Sequence, residues 1–97
     1  MGLTEKLIEI SNEISEERDY VVEPRIMKMG NEKAYYGFEL KKISNVINLS
    51  PVLNLRREGE NITLISFYRE NDDLIKRIAE REKFAYRFDE IPLRIFP

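Results

Sequence analysis

The side chains able to do chemistry in this chain are carboxylates, amines, guanidiniums, phenols and hydroxyls, because Cys, His, Trp and Gln are absent. Without Cys there is no disulfide, thiol nucleophile or iron–sulfur ligand. Without His or Cys the usual zinc, copper and haem donors are missing, and Ser–His or Cys–His nucleophile pairs cannot be assembled. Asp72-Asp73 has the chemistry to hold Mg²⁺, but it follows Asn71 and precedes an apolar stripe, so stabilising a helix start is the simpler role. The glycines at 2, 30, 37 and 59 are isolated, which rules out a glycine-rich phosphate loop. The expectation is a non-catalytic protein with no cofactor and no metal.

A second set of residues suits binding. Read as strands with alternating faces, Lys33, Tyr35, Lys41, Val52, Arg56, Ile65, Phe67 and Arg69 share one sheet face. Val52, Ile65 and Phe67 would form an apolar cluster inside a basic frame, opposed only by Glu39. An uncovered apolar cluster marks an interaction site. Two partners fit it. The first is protein, a second copy of the chain included, with a homodimer as the expected state. The alternative is nucleic acid, with Tyr35 and Phe67 stacking bases and the cations holding phosphates. The C-terminal residues Phe84, Tyr86, Phe88, Ile91, Leu93 and Ile95 are a third way to cover the same face.

These residues must be positioned by the elements around them. Leu3, Leu7, Ile10 and Ile14 recur at helical spacing, which predicts a helix over Leu3–Glu17 with Thr4 as N-cap. The helix is acidic, and residues 1–17 carry a net charge of −4. Four strands follow, at Tyr20–Met29, Tyr35–Ile43, Val46–Arg56 and Ile62–Arg69. Turns at Gly30-Asn31-Glu32, Ser44-Asn45 and Glu58-Gly59 are short enough to join antiparallel neighbours. Two-residue turns set Leu40 opposite Leu49, Tyr36 opposite Leu53, and Leu53 opposite Leu64. Leu53 and Leu55 then fall on one apolar face.

Pro51 has no N–H to give and must sit at a bulge, a break or an unpaired stretch. Pro24 marks its strand as an edge or a kinked strand. Asn71 opens a second helix as N-cap, with Leu74, Ile75, Ile78 and Ala79 as its apolar stripe, ending near Lys83. Phe84–Phe88 alternates like a strand, and so does Ile91–Ile95, which Pro92 confines to an edge. The expected fold is therefore α+β in the order α-β-β-β-β-α, plus a C-terminal edge strand or tail. It comprises a four-stranded antiparallel sheet with two helices on one face.

The whole chain agrees with one small domain. Its 97 residues, 42% hydrophobic and 35% charged, are those of a folded globular protein rather than a disordered one. A net charge of −2 gives no overall attraction to nucleic acid or anionic lipid, so such binding needs a local patch. The start of the chain turns charged at Glu5 and Lys6, unlike a signal peptide, and no apolar run is long enough to span a bilayer. A cytoplasmic protein with no membrane partner is expected. Abundant Glu, Lys, Arg and Ile without Cys or Gln is the composition of thermophilic proteins.

Overall fold

The structure, a computed structural model, describes residues 2–90. Helix α1 (Leu3–Glu17) is followed by strands β1 (Val22–Met29), β2 (Glu32–Ile43), β3 (Val46–Glu58) and β4 (Asn61–Ser66). A short 3₁₀ turn at Arg69–Asn71 leads into α2 (Asp72–Glu82), and β5 (Ala85–Phe88) ends the described chain. The sheet has five strands in the order β1-β2-β3-β4-β5. The first four pair antiparallel, and β5 returns through α2 to pair parallel with β4. The α+β class, the element order and the C-terminal edge strand are as the sequence predicts. The expected further segment at Ile91–Ile95 lies outside the described residues.

Each β-hairpin turns through two residues, and the first of them takes a left-handed conformation: Gly30 at φ 65, Ser44 at φ 61 and Gly59 at φ 66. Glycine meets that demand without steric cost, whereas Ser44 does not. The third turn is Gly59-Glu60 rather than Glu58-Gly59, which moves Leu55 opposite Leu64. That shift is two residues, so the faces are preserved.

One core lies between the helices and one sheet face. Leu7, Ile10 and Ile14 of α1, with Leu74, Ile75, Ile78 and Ala79 of α2, pack on Val22, Val52, Leu53, Leu55 and Leu64. The helices are tied to each other at the surface by Lys6–Glu82 at 2.7 Å and Arg81–Glu13 at 2.8 Å. The hydrogen bond from Lys6 is the main reason the Glu82 carboxyl titrates below the usual range.

Neither expected N-cap side chain does that work. Gly2 occupies the cap position of α1, and Thr4 lies inside the helix. Asn71 does precede α2, but its side chain makes no capping bond. It is fully buried and points the other way: Nδ2 donates to the Tyr20 hydroxyl, and Oδ1 accepts from Arg18 Nε at 3.0 Å. Asn71 therefore joins the exit of α1 to the entry of α2. At its far end α2 closes on Lys83 in the left-handed conformation (φ 62), with the Phe84 N–H bonded to the Ala79 carbonyl at 2.9 Å. That 6→1 bond is a Schellman closure.

The bulge at Pro51-Val52 sets which residues share a face. Ile43 opposes Val46 and Leu40 opposes Leu49, as the turn dictates, and Phe38 still opposes Pro51. The next pair is Gly37 with Leu53, so Val52 is the extra residue. Tyr36 consequently meets Asn54 instead of Leu53, and Tyr35 rather than Ala34 meets Leu55. Val52 and Leu53 both enter the core, and alternation restarts one residue out of step. At Gly37 the sheet leaves no room for a side chain, because a Cβ there would come within 2.8 Å of both Leu53 Cδ2 and Val22 Cγ1.

Candidate interaction face

The eight residues expected on one basic face divide between two. Alternation from the bulge places Arg56, Ile65 and Phe67 on the face turned away from the helices, as the sequence suggests. Lys33, Tyr35 and Lys41 belong to the helix-side face instead, where Tyr35 packs against the core and Lys41 reaches Glu39 at 3.4 Å. Val52 is fully buried in the core itself. Arg69 lies beyond β4 in the 3₁₀ turn, its guanidinium 3.9 Å from the centre of the Phe88 ring. For the β2 residues and Val52 the physical reason is the extra residue at Val52, which turns over every β2 side chain relative to a straight register; Arg69 is lost because β4 ends at Ser66.

The face away from the helices is aromatic rather than basic. Tyr36 takes the place expected for Tyr35 and stacks on Phe67 with ring centres 6.3 Å apart. The Phe38 ring centre lies 5.6 Å from that of Tyr36. Phe38, Ile65 and Phe67 are buried, and so are the polar Asn54 and Thr63 among them. A cavity of about 370 Å³ opens here, lined by Tyr36, Asn54, Arg56, Ile65, Phe67, Asp89 and Glu90. The buried Asn54 Oδ1 has no hydrogen-bond partner among the described residues. Arg56 shares the cavity wall with Asp89 and Glu90, and Arg87 is engaged by Asp89 at 3.3 Å and Glu58 at 3.4 Å. Mixed charge of this kind makes a poor phosphate track.

Sequence reasoning missed Tyr36 and Phe38. The signal that reveals them is Pro51: reading it as the position of a one-residue bulge moves Tyr36 and Phe38 to the face of Phe67.

The second notable surface is the run of exposed apolar side chains along β1, β2 and β3. Beyond Glu39 on β2 and before Pro51 on β3, neither β1 nor β4 pairs with these strands, so Leu40–Ser50 forms a two-stranded ribbon. Leu40, Val46 and Ile47 are exposed on it, Ile47 by 62%. Ile26, Met27 and Met29 are exposed on β1, and Val21 just before it. Among the described residues the other exposed large apolar side chain is Ile8 on α1.

Among the described residues no group of three or more Asp or Glu side chains stands close enough to hold a metal ion, and no helix is long and apolar enough to cross a membrane. We expect far-ultraviolet circular dichroism and the thermal midpoint to be unchanged by a chelator and by a reductant. A chelator that lowered the midpoint by several degrees would reveal a structural metal.

Comparison with family models, with curated proteins and with solved structures finds no match for this chain. Function is therefore argued from the surfaces alone.

Proposed function

We propose that this chain is a small non-catalytic binding domain that works through protein–protein contacts and associates with itself. The observation that carries the reading is the concentration of exposed apolar side chains on β1, β2 and β3, in a chain where 35% of residues are charged. Scattered surface leucines need no explanation, but Ile26, Met27 and Met29 gathered on one edge strand, with Leu40, Val46 and Ile47 on the adjoining hairpin, are the composition of an interface. The reading places the domain in the cytoplasm, as its sequence suggests, and asks no cofactor of it. Its thermophilic composition belongs to the same reading, since self-association is one route to higher stability.

Nucleic acid is the weaker partner. Lys33, Lys41, Arg56 and Arg69, the cations that reading requires, do not share a face.

Sedimentation velocity over a range of concentrations, with and without single- and double-stranded oligonucleotides, tests the proposal. We expect concentration-dependent association that is indifferent to oligonucleotide and survives about 0.5 M salt, conditions that weaken phosphate contacts by orders of magnitude. A monomer that shifts only on adding oligonucleotide, and loses the shift in salt, would establish the nucleic-acid reading in its place.

A further inference from the structure

The outer edge of β1 has a specific hydrogen-bonding pattern. The two-residue turn at Gly30-Asn31 makes Met29 and Glu32 a hydrogen-bonded pair, so odd-numbered β1 residues bond to β2 and even-numbered ones point outward. Two contacts confirm the phase. The Leu40 N–H reaches the Val21 carbonyl at 3.3 Å, and the Val22 N–H turns away from β2 to the Ser15 hydroxyl at 2.9 Å. Pro24 also falls on the outward phase, in which a missing N–H breaks no ladder bond. The outward groups are then the Pro24 carbonyl and both the N–H and C=O of Ile26 and Lys28. Among the described residues no strand pairs with them. An uncovered row of this kind is a template for another strand.

We propose that β1 pairs antiparallel with β1 of a second copy across a twofold axis at Ile26, joining the two sheets into one continuous sheet. This rests on the self-association proposed above and names its interface. Self-complementarity selects the occupant and the register. With Ile26 opposite Ile26 of the second copy, the two residues exchange both bonds, and each Lys28 N–H meets the other copy's Pro24 carbonyl.

Arg25 then faces Met27, and Lys28 faces Pro24, so no like charges stand directly opposite. Sliding by one residue towards the start of the strand sets Arg25 against Arg25 and calls on the Val22 N–H, which Ser15 already holds. Sliding the other way shortens the overlap. The exposed Ile26 side chains meet on the helix-side face, and Met27 and Met29 lie along Arg25 and Glu23 of the other copy on the opposite face. The axis also brings the two acidic α1 helices to the same side of the sheet, because α1 packs over β1 and β2. Salt therefore strengthens this contact rather than weakening it.

The test is Ile26→Pro. The substitution deletes an outward N–H and leaves every bond to β2 in place, as Pro24 already does two residues earlier. Sedimentation equilibrium of the variant should show self-association weakened by about tenfold or more, since two interchain bonds are lost per dimer and the rings crowd the axis. Amide hydrogen exchange of the wild-type chain gives a second readout that needs no variant. The Ile26 and Lys28 amides should gain protection as concentration rises through the association range, while other edge amides do not. A wild-type dimer whose Ile26 and Lys28 amides exchange freely, or an Ile26→Pro variant that folds and associates as tightly as wild type, overturns the β1 interface and leaves self-association standing. A wild-type chain that stays monomeric at high micromolar concentration overturns both.

Discussion

Truncating Leu53 to Ala should destabilise the fold by about 2–5 kcal/mol, the range found for buried leucines. Leu53 is fully buried and stands where three constraints meet. It follows the bulged residue Val52, it opposes Gly37 on β2, and it opposes Ser66 on β4. Its Cδ2 would lie 2.8 Å from a Cβ on Gly37, so the leucine occupies the space that glycine vacates. Shortening it opens a cavity walled by strands on both sides, where neighbouring side chains have little freedom to collapse.

Two companion variants locate the cause. Gly37→Ala in the wild-type chain should cost about 1–3 kcal/mol by overpacking. Gly37→Ala combined with Leu53→Ala should cost less than the sum of the two, because the new methyl group enters the space the leucine leaves. Chemical denaturation with matched slopes measures all three. Strict additivity would show that the two positions do not share that space, and a Leu53→Ala cost under about 0.5 kcal/mol would place Leu53 on the surface.

Leu53 also shows how far the sequence could be read. Its place on the face of Leu55 and Leu64 follows from the third turn and survives, whereas the second turn's placement of it beside Tyr36 and Leu40 does not. Ser66 rather than Leu64 opposes it, because the third turn uses Gly59-Glu60, and a two-residue slip leaves faces unchanged. Gly37 rather than Tyr36 opposes it, because Val52 is inserted, and a one-residue slip exchanges faces.

The candidate face inherits that difference. Arg56 of β3, Ile65 of β4 and Phe67 just after β4 lie beyond the bulge and keep their places, whereas Lys33, Tyr35 and Lys41 come from β2 and change sides. Pro51 announces a bulge, yet proline alone does not say which neighbour is the extra residue. The parallel return of β5 was hidden for another reason. The periodicity of Phe84–Phe88 reports a strand but not its neighbour, and pairing with β4 depends on the path α2 takes across the sheet. The outward phase of β1 needed the structure as well. Pro24 suggests an edge strand, and the closing pair Met29–Glu32 with the contacts of Val21 and Val22 shows which alternate residues face out.

Asn71→Leu should be the most damaging single substitution outside the apolar core, at about 2–4 kcal/mol, and Asn71→Asp should recover most of that loss. The side chain is fully buried and holds two groups from the segment after α1: the Tyr20 hydroxyl through Nδ2 and the Arg18 guanidinium through Oδ1. Leucine matches its volume but offers neither bond. The Tyr20 hydroxyl and Arg18 Nε would then lose partners where water has poor access, and each such loss costs about 1–3 kcal/mol. Arg18 would keep its bond to the Glu70 carbonyl at 3.1 Å, which limits the damage on that side.

Aspartate keeps an acceptor for Arg18 and makes that bond charge-assisted, and the Tyr20 hydroxyl can rotate to donate where it now accepts. A capping role would rank the variants differently. An N-cap asparagine replaced by an apolar residue loses about 1 kcal/mol, confined to the first turn of α2. The bridging role instead couples Asn71 to Tyr20. In a double-mutant cycle, Tyr20→Phe should be nearly neutral once Asn71 is leucine and clearly destabilising when it is not. Denaturation midpoints for the four chains in that cycle decide the matter: equal Tyr20→Phe effects on both backgrounds would mean that Asn71 does not hold Tyr20.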